Sequence, residues 1–113
     1  MFEYMDKDKI AQQEAANDGQ TINLYYDEMV GLYLAFGLSA YYTTMVANPH
    51  ITFSDALQLP GALLRKGHVN MLRQALEKVE HTEKCFYRFR LRTKVGDMGY
   101  QRWLSKSLEK TRL

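Results

Sequence analysis

The residues best suited to chemistry lie in the last third of the chain. Arg88, Arg90, Arg92 and Lys94, then Arg102 and Lys106, are interleaved with Phe86, Tyr87, Phe89, Tyr100 and Trp103. Guanidinium and ammonium groups bind phosphate oxygens and an exposed ring stacks on a base, so this composition suits a nucleic-acid or other anion-binding surface. It suits equally a solvated face whose rings are core and whose cations are neutralised within the chain. Residues 1–59 hold two Lys against eight acids, and residues 60–113 hold thirteen Lys or Arg against five acids, for a net charge of +2. Because the acids that would neutralise the arginine row are in the same chain, the second reading is preferred. Charge separated in this way also favours self-association or capture of an anionic partner.

Other chemistry is weaker. His50, His68 and His81 form no close ligand pair with one another. Glu77 and His81, four apart on an expected helix, supply at most two of the four ligands a structural zinc needs. Cys85 follows Lys84, a cation that could lower its pKa, but a lone cysteine beside an aromatic is more often a small core residue. Asp27 and Glu28 are adjacent and would diverge on a helix, so they read as acids at a helix start rather than as an acid–base pair. Gly96 and Gly99 do not make a phosphate-cradling loop. No cofactor, metal or catalytic residue is expected.

These groups must be positioned by the stretch Met29–Ala47, nineteen residues without a charge. A membrane span, a buried helix and a pair of strands all compete for it. Tyr33, Ser39, Tyr41, Tyr42, Thr43 and Thr44 put too many hydroxyls into the window for a span, and its aromatics sit inside rather than at the ends. A helix over 22–47 fits better, with acids near its start and Asn48-Pro49 as a stop. On it, Gly31, Ala35 and Ser39 would form a small-residue contact face open to another helix. Tyr25, Tyr26, Tyr33, Tyr41 and Tyr42 would supply bulk, each buried phenol needing a hydrogen-bond partner.

Around that rod, residues 6–16 read as a surface helix ended by Asn17-Asp18-Gly19. Thr52 and Asp55 match a capping pattern, and Pro60 can open a helix over 61–81. Residues 82–95 fit a continuation of that helix, which is preferred, or a strand with Tyr87, Phe89 and Leu91 inward. A short amphipathic helix follows the Gly96–Gly99 turn. The fold expected is therefore mainly α, a single domain over 1–113. It is a bundle of about four helices around 22–47, with residues 1–20 peripheral and a short β element allowed near 85–94.

The function expected is that of a small non-enzymatic interaction or regulatory protein acting through homo-oligomerisation or contact with another protein. Nucleic-acid binding by the basic half is the alternative. The single cysteine and the absence of a signal-type apolar run at the N-terminus fit a cytoplasmic chain without membrane contact.

Overall fold

The computed structural model describes residues 7–82 and 86–111, the side chains of 79–82 and 109–111 excepted. Along the chain run α1 (Lys7–Ala15), β1 (Thr21–Asp27), β2 (Leu32–Phe36), α2 (Leu38–Thr43), β3 (His50–Ser54), β4 (Leu59–Leu64), α3 (Lys66–Ala75), β5 (Glu77–Thr82), β6 (Phe86–Arg90) and α4 (Tyr100–Thr111). The strands form one sheet in the order β3-β4-β2-β1-β6-β5, every neighbouring pair antiparallel. Among the described residues no helix is long and apolar enough to cross a membrane.

The expected helical bundle is thus overturned, and the central rod with it. Residues 29–47 comprise a hairpin turn, strand β2, the short helix α2 and further turns. The turn is closed by Gly31, whose φ of 68° suits glycine and whose N–H donates to the Asp27 carbonyl at 2.8 Å. The Asp27 carboxylate accepts from the Met29 N–H at 3.0 Å, so the two acids read as helix-start residues include one that shapes a β-turn. The sequence misled because β2 is covered on both faces. A strand buried on both sides shows an unbroken apolar run with no alternation, which periodicity cannot distinguish from a buried helix.

The helix expected over 61–81 divides likewise into the end of β4, helix α3 and strand β5. Pro60 opens no helix. It lies in β4, where its carbonyl accepts from the Gly37 N–H at 3.0 Å. Thr52 and Asp55 form no cap; a tight turn instead joins β3 to β4, with Gln58 N–H donating to the Ser54 carbonyl at 2.7 Å. Residues 86–90 are a strand, not a helical continuation. Their partners are β1 and β5, two segments not expected to be strands. Where expectation and structure agree is at the ends: α1 with its following turn, and α4.

Alternation along the strands sorts the core into two layers. One face carries Ile22, Leu24, Ala35, Ala62, Leu64, Tyr87 and Phe89, covered by Ala40 and Tyr42 of α2 and by Val69 and Leu72 of α3. Trp103 of α4 packs against the same cluster, its ring 5.2 Å from that of Tyr41. The opposite face carries Tyr25, Leu34 and Phe36, on which Ile10 of α1 sits. The N-terminal helix is therefore not merely peripheral: Ile10 and Glu14 are both buried.

Candidate functional site

Among the described residues, three places besides the depression at Arg90 and Arg92 bear on a site. The first is internal. Between α1, β1 and α2 the Glu14 carboxylate accepts from Ser39 Oγ (2.8 and 2.9 Å), from the Ser39 N–H (3.2 Å) and from Asn23 Nδ2 (2.9 Å). Ser39 Oγ in turn accepts from the Asn23 N–H at 2.9 Å. This bond replaces a missing rung of the sheet, because the β1–β2 register ends at Tyr25–Leu34 and α2 enters where the strands part. Burial pushes the Glu14 carboxyl above its ordinary value, against the opposing pull of the Asn23 and Ser39 donors. A serine beside a carboxylate resembles a nucleophile and base, but Ser39 is 0% exposed and its hydroxyl is held by the Asn23 N–H and both oxygens of the Glu14 carboxylate. The cluster locks three elements together and offers nothing to a substrate.

The second place is the outer edge of the sheet. Of the two edge strands, β5 carries Glu77 and Lys78 and has a register shift between Lys78 and Glu80. Charge and irregularity of this kind blunt an edge against further pairing. Strand β3, His-Ile-Thr-Phe-Ser, has no Lys, Arg, Asp, Glu or Pro and keeps unbroken register with β4 from His50–Leu63 to Ser54–Leu59. Pro60 reveals which of its backbone groups point outward. Its carbonyl is turned to Gly37, on the β2 side, and a residue's N–H and C=O leave a strand on one side. Its β3 partner Phe53 therefore directs both groups away from β4, and so does Ile51 two residues earlier.

The third place lies beside that edge. The link Asn48-Pro49-His50 separates two clefts. One, of about 910 Å³, is bounded by His50, Arg65, His68 and Met71; the other, of about 670 Å³, runs between β3 and α4 along Ile51, Thr52, Trp103 and Lys106. Among the described residues no acid lines either cleft. His68 is oriented by the Arg65 N–H, which donates to its Nδ1 at 3.0 Å.

The cations singled out in the sequence do not form one row. Arg88 is half-buried, donating through Nε to Asn23 Oδ1 at 2.9 Å and lying over the Phe86 ring. Arg90 and Arg92 are brought together at a depression with Gln74 and Glu77, where Arg92 Nε donates to the Ala75 carbonyl at 3.2 Å. Lys94 extends over Gly19, and Arg102 is exposed on α4. Lys106 stands near β3, at the other end of the strand order from Arg90. Part of the basic half is answered in-chain: Arg90 helps hold the Asp18 carboxyl below its ordinary range, behind the larger effect of the Thr21 hydroxyl.

The proposed helix-contact face is dispersed. Gly31 is in an exposed turn, Ala35 is buried in β2 and Ser39 is buried in α2. The tyrosines are packing residues with partners: Tyr42 OH donates to the Gly96 carbonyl and Tyr25 OH to Gln13 Oε1. Burial pushes the Tyr42 phenol up to about 12. Glu77 lies on an edge strand rather than a helix, the His81 side chain and Cys85 lie outside the described residues, and those residues gather no three His, Cys, Asp or Glu for a metal.

Missed by sequence reasoning were Ile51 and Phe53 as an open backbone edge, Glu14 as a buried anchor, and Arg65. The alternation in 50–54 and the proline at position 60 were the available signals for the edge. No protein-family model, curated protein or solved structure matches the chain.

Proposed function

We propose that this protein is a self-associating interaction module in which two copies join through antiparallel pairing of their β3 strands. The observation that carries the reading is that β3, with the outward N–H and C=O groups of Ile51 and Phe53, has no further strand beside it among the described residues. A two-fold axis through Thr52 sets Ile51 opposite Phe53 of the second copy and Phe53 opposite its Ile51. Each such pair exchanges two backbone hydrogen bonds, so the outward groups of one copy meet those of the other. The same register places the two Thr52 residues across from each other and brings Ile51 and Phe53 side chains onto one face, a favourable cross-strand pair. The protein acts in this reading through contact rather than through chemistry, consistent with a Glu14–Ser39 cluster sealed from any substrate.

Light scattering on the purified chain at tens of micromolar is expected to give twice the monomer mass of 13.2 kDa. Ile51→Pro and Phe53→Pro each remove an outward N–H while sparing the β3–β4 ladder, since proline is tolerated on the open side of an edge strand. Both variants are expected to be monomers with wild-type circular dichroism. A monomeric wild-type protein, or folded variants that remain dimers, would overturn the reading.

A further inference from the structure

We infer that the cleft between the Asn48-Pro49-His50 link and the start of α3 binds a phosphomonoester carried on an apolar body. Cationic and neutral donors approach this cleft from two directions. Arg65 and His68 come from the α3 side, and His50 and the Asn48 amide come from the link leading into β3. Arg65 is exposed and presents the planar fork that matches two phosphate oxygens.

The His68 ring is not free to turn its acceptor to a ligand, because Nδ1 already receives the Arg65 N–H. With Nδ1 accepting, the ring is the tautomer whose proton sits on Nε2, and that remaining nitrogen can only donate. The polar wall is thus biased toward donors, and among the described residues no Asp or Glu lines the cleft to repel an anion. A phosphomonoester offers three terminal acceptor oxygens to this set, more than a carboxylate.

The rest of the wall is apolar. Leu63 and Met71 line it, and Met71 is 47% exposed, a large unbranched side chain able to adapt to a flat or irregular body. A donor wall facing an apolar wall selects an amphiphilic ligand over inorganic phosphate. This inference is independent of the β3 dimer. His50 lines this cleft, whereas the dimer uses the backbone of Ile51 and Phe53.

The test is titration of the full-length chain with phenyl phosphate, followed by amide chemical shifts in two-dimensional NMR. The expected result is saturable binding with shifts concentrated at residues 48–50 and 63–71, and weaker binding of inorganic phosphate. Arg65→Gln is expected to weaken phenyl phosphate about tenfold or more, the size of losing a charge-assisted hydrogen bond. Arg102→Gln, an exposed cation away from the cleft, is expected to leave affinity unchanged. Absence of saturable binding, shifts spread over every basic residue, or equal affinity in a folded Arg65→Gln variant would overturn the assignment. The monomeric Ile51→Pro chain, titrated in parallel, separates this result from the dimer: it is expected to bind phenyl phosphate like the wild type.

Discussion

Replacing Glu14 by alanine is expected to lower the unfolding free energy by about 2–4 kcal/mol at pH 7. The carboxylate accepts hydrogen bonds from Ser39 Oγ, the Ser39 N–H and Asn23 Nδ2, all in a buried site. Alanine leaves those donors without an acceptor, and each buried orphan costs about 1–3 kcal/mol. Relief of the desolvation of the carboxylate itself offsets part of the sum, which is why the expected loss is smaller than three full penalties. Glu14→Gln keeps the shape and one acceptor and is expected to lose less. The pH dependence follows from the direction of the shift. Burial raises the folded-state pKa above the ordinary 4.5, so the native protein holds this proton more tightly than the unfolded chain. The proton-linked part of its contribution is then complete below about 4.5 and is lost as pH rises through the folded-state value, leaving at pH 7 the hydrogen bonds to the carboxylate. Urea denaturation of wild type and Glu14→Gln at pH 7 and at pH 5 reads this directly. The wild type should gain on the glutamine variant on going to the lower pH, and a difference that is flat or moves the other way would refute the assignment.

Gly19→Ala is expected to cost about 3–5 kcal/mol, against about 1 kcal/mol for Gly31→Ala. Both glycines have positive φ, 83° at Gly19 and 68° at Gly31, so both variants carry the strain of an L-residue in the left-handed region. They differ in what a methyl group would meet. At Gly31 nothing lies within 4 Å, whereas at Gly19 the new Cβ would stand 2.7 Å from the Gly96 Cα, which is backbone and cannot rotate away. The segment around Gly96 would have to retreat. That retreat breaks the bonds from the Val95 and Gly96 N–H groups to the Gly19 carbonyl (2.9 and 2.8 Å) and disturbs the Gly96 carbonyl that receives Tyr42 OH. This crossing ties the turn after α1 to the segment leading into α4, so thermal melting should show the gap between the two variants. Equal melting temperatures would mean that the crossing contributes little.

Some of this architecture was legible in the sequence and some was not, for reasons visible at particular residues. Both terminal helices were readable because their signals are local. The Lys7–Ala15 segment is rich in helix formers and ends at Asn17-Asp18-Gly19, and α4 begins after the Gly96–Gly99 turn with Trp103, Leu104 and Leu108 on helical spacing. The alternation of Tyr87 and Phe89 with Arg88 and Arg90 was also present, but a strand is chosen only when it has neighbours. Its neighbours, β1 and β5, lie in stretches whose local pattern reads as helix. One error at the centre therefore propagated outward.

The sequence by itself determined the first and last helices and the turns at Asn17–Gly19 and Gly96–Gly99. It determined the supply of buried apolar groups as well. Tertiary structure alone decided that Met29–Ala47 would be divided among turn, strand and helix, because a strand flanked by strands and covered on both faces satisfies its backbone through partners as distant in sequence as Leu64 is from Tyr33. It alone decided that Glu14 would anchor α2 and that β3 would have a single strand neighbour among the described residues, since both follow from which segments become neighbours, and a neighbour is not written in local spacing.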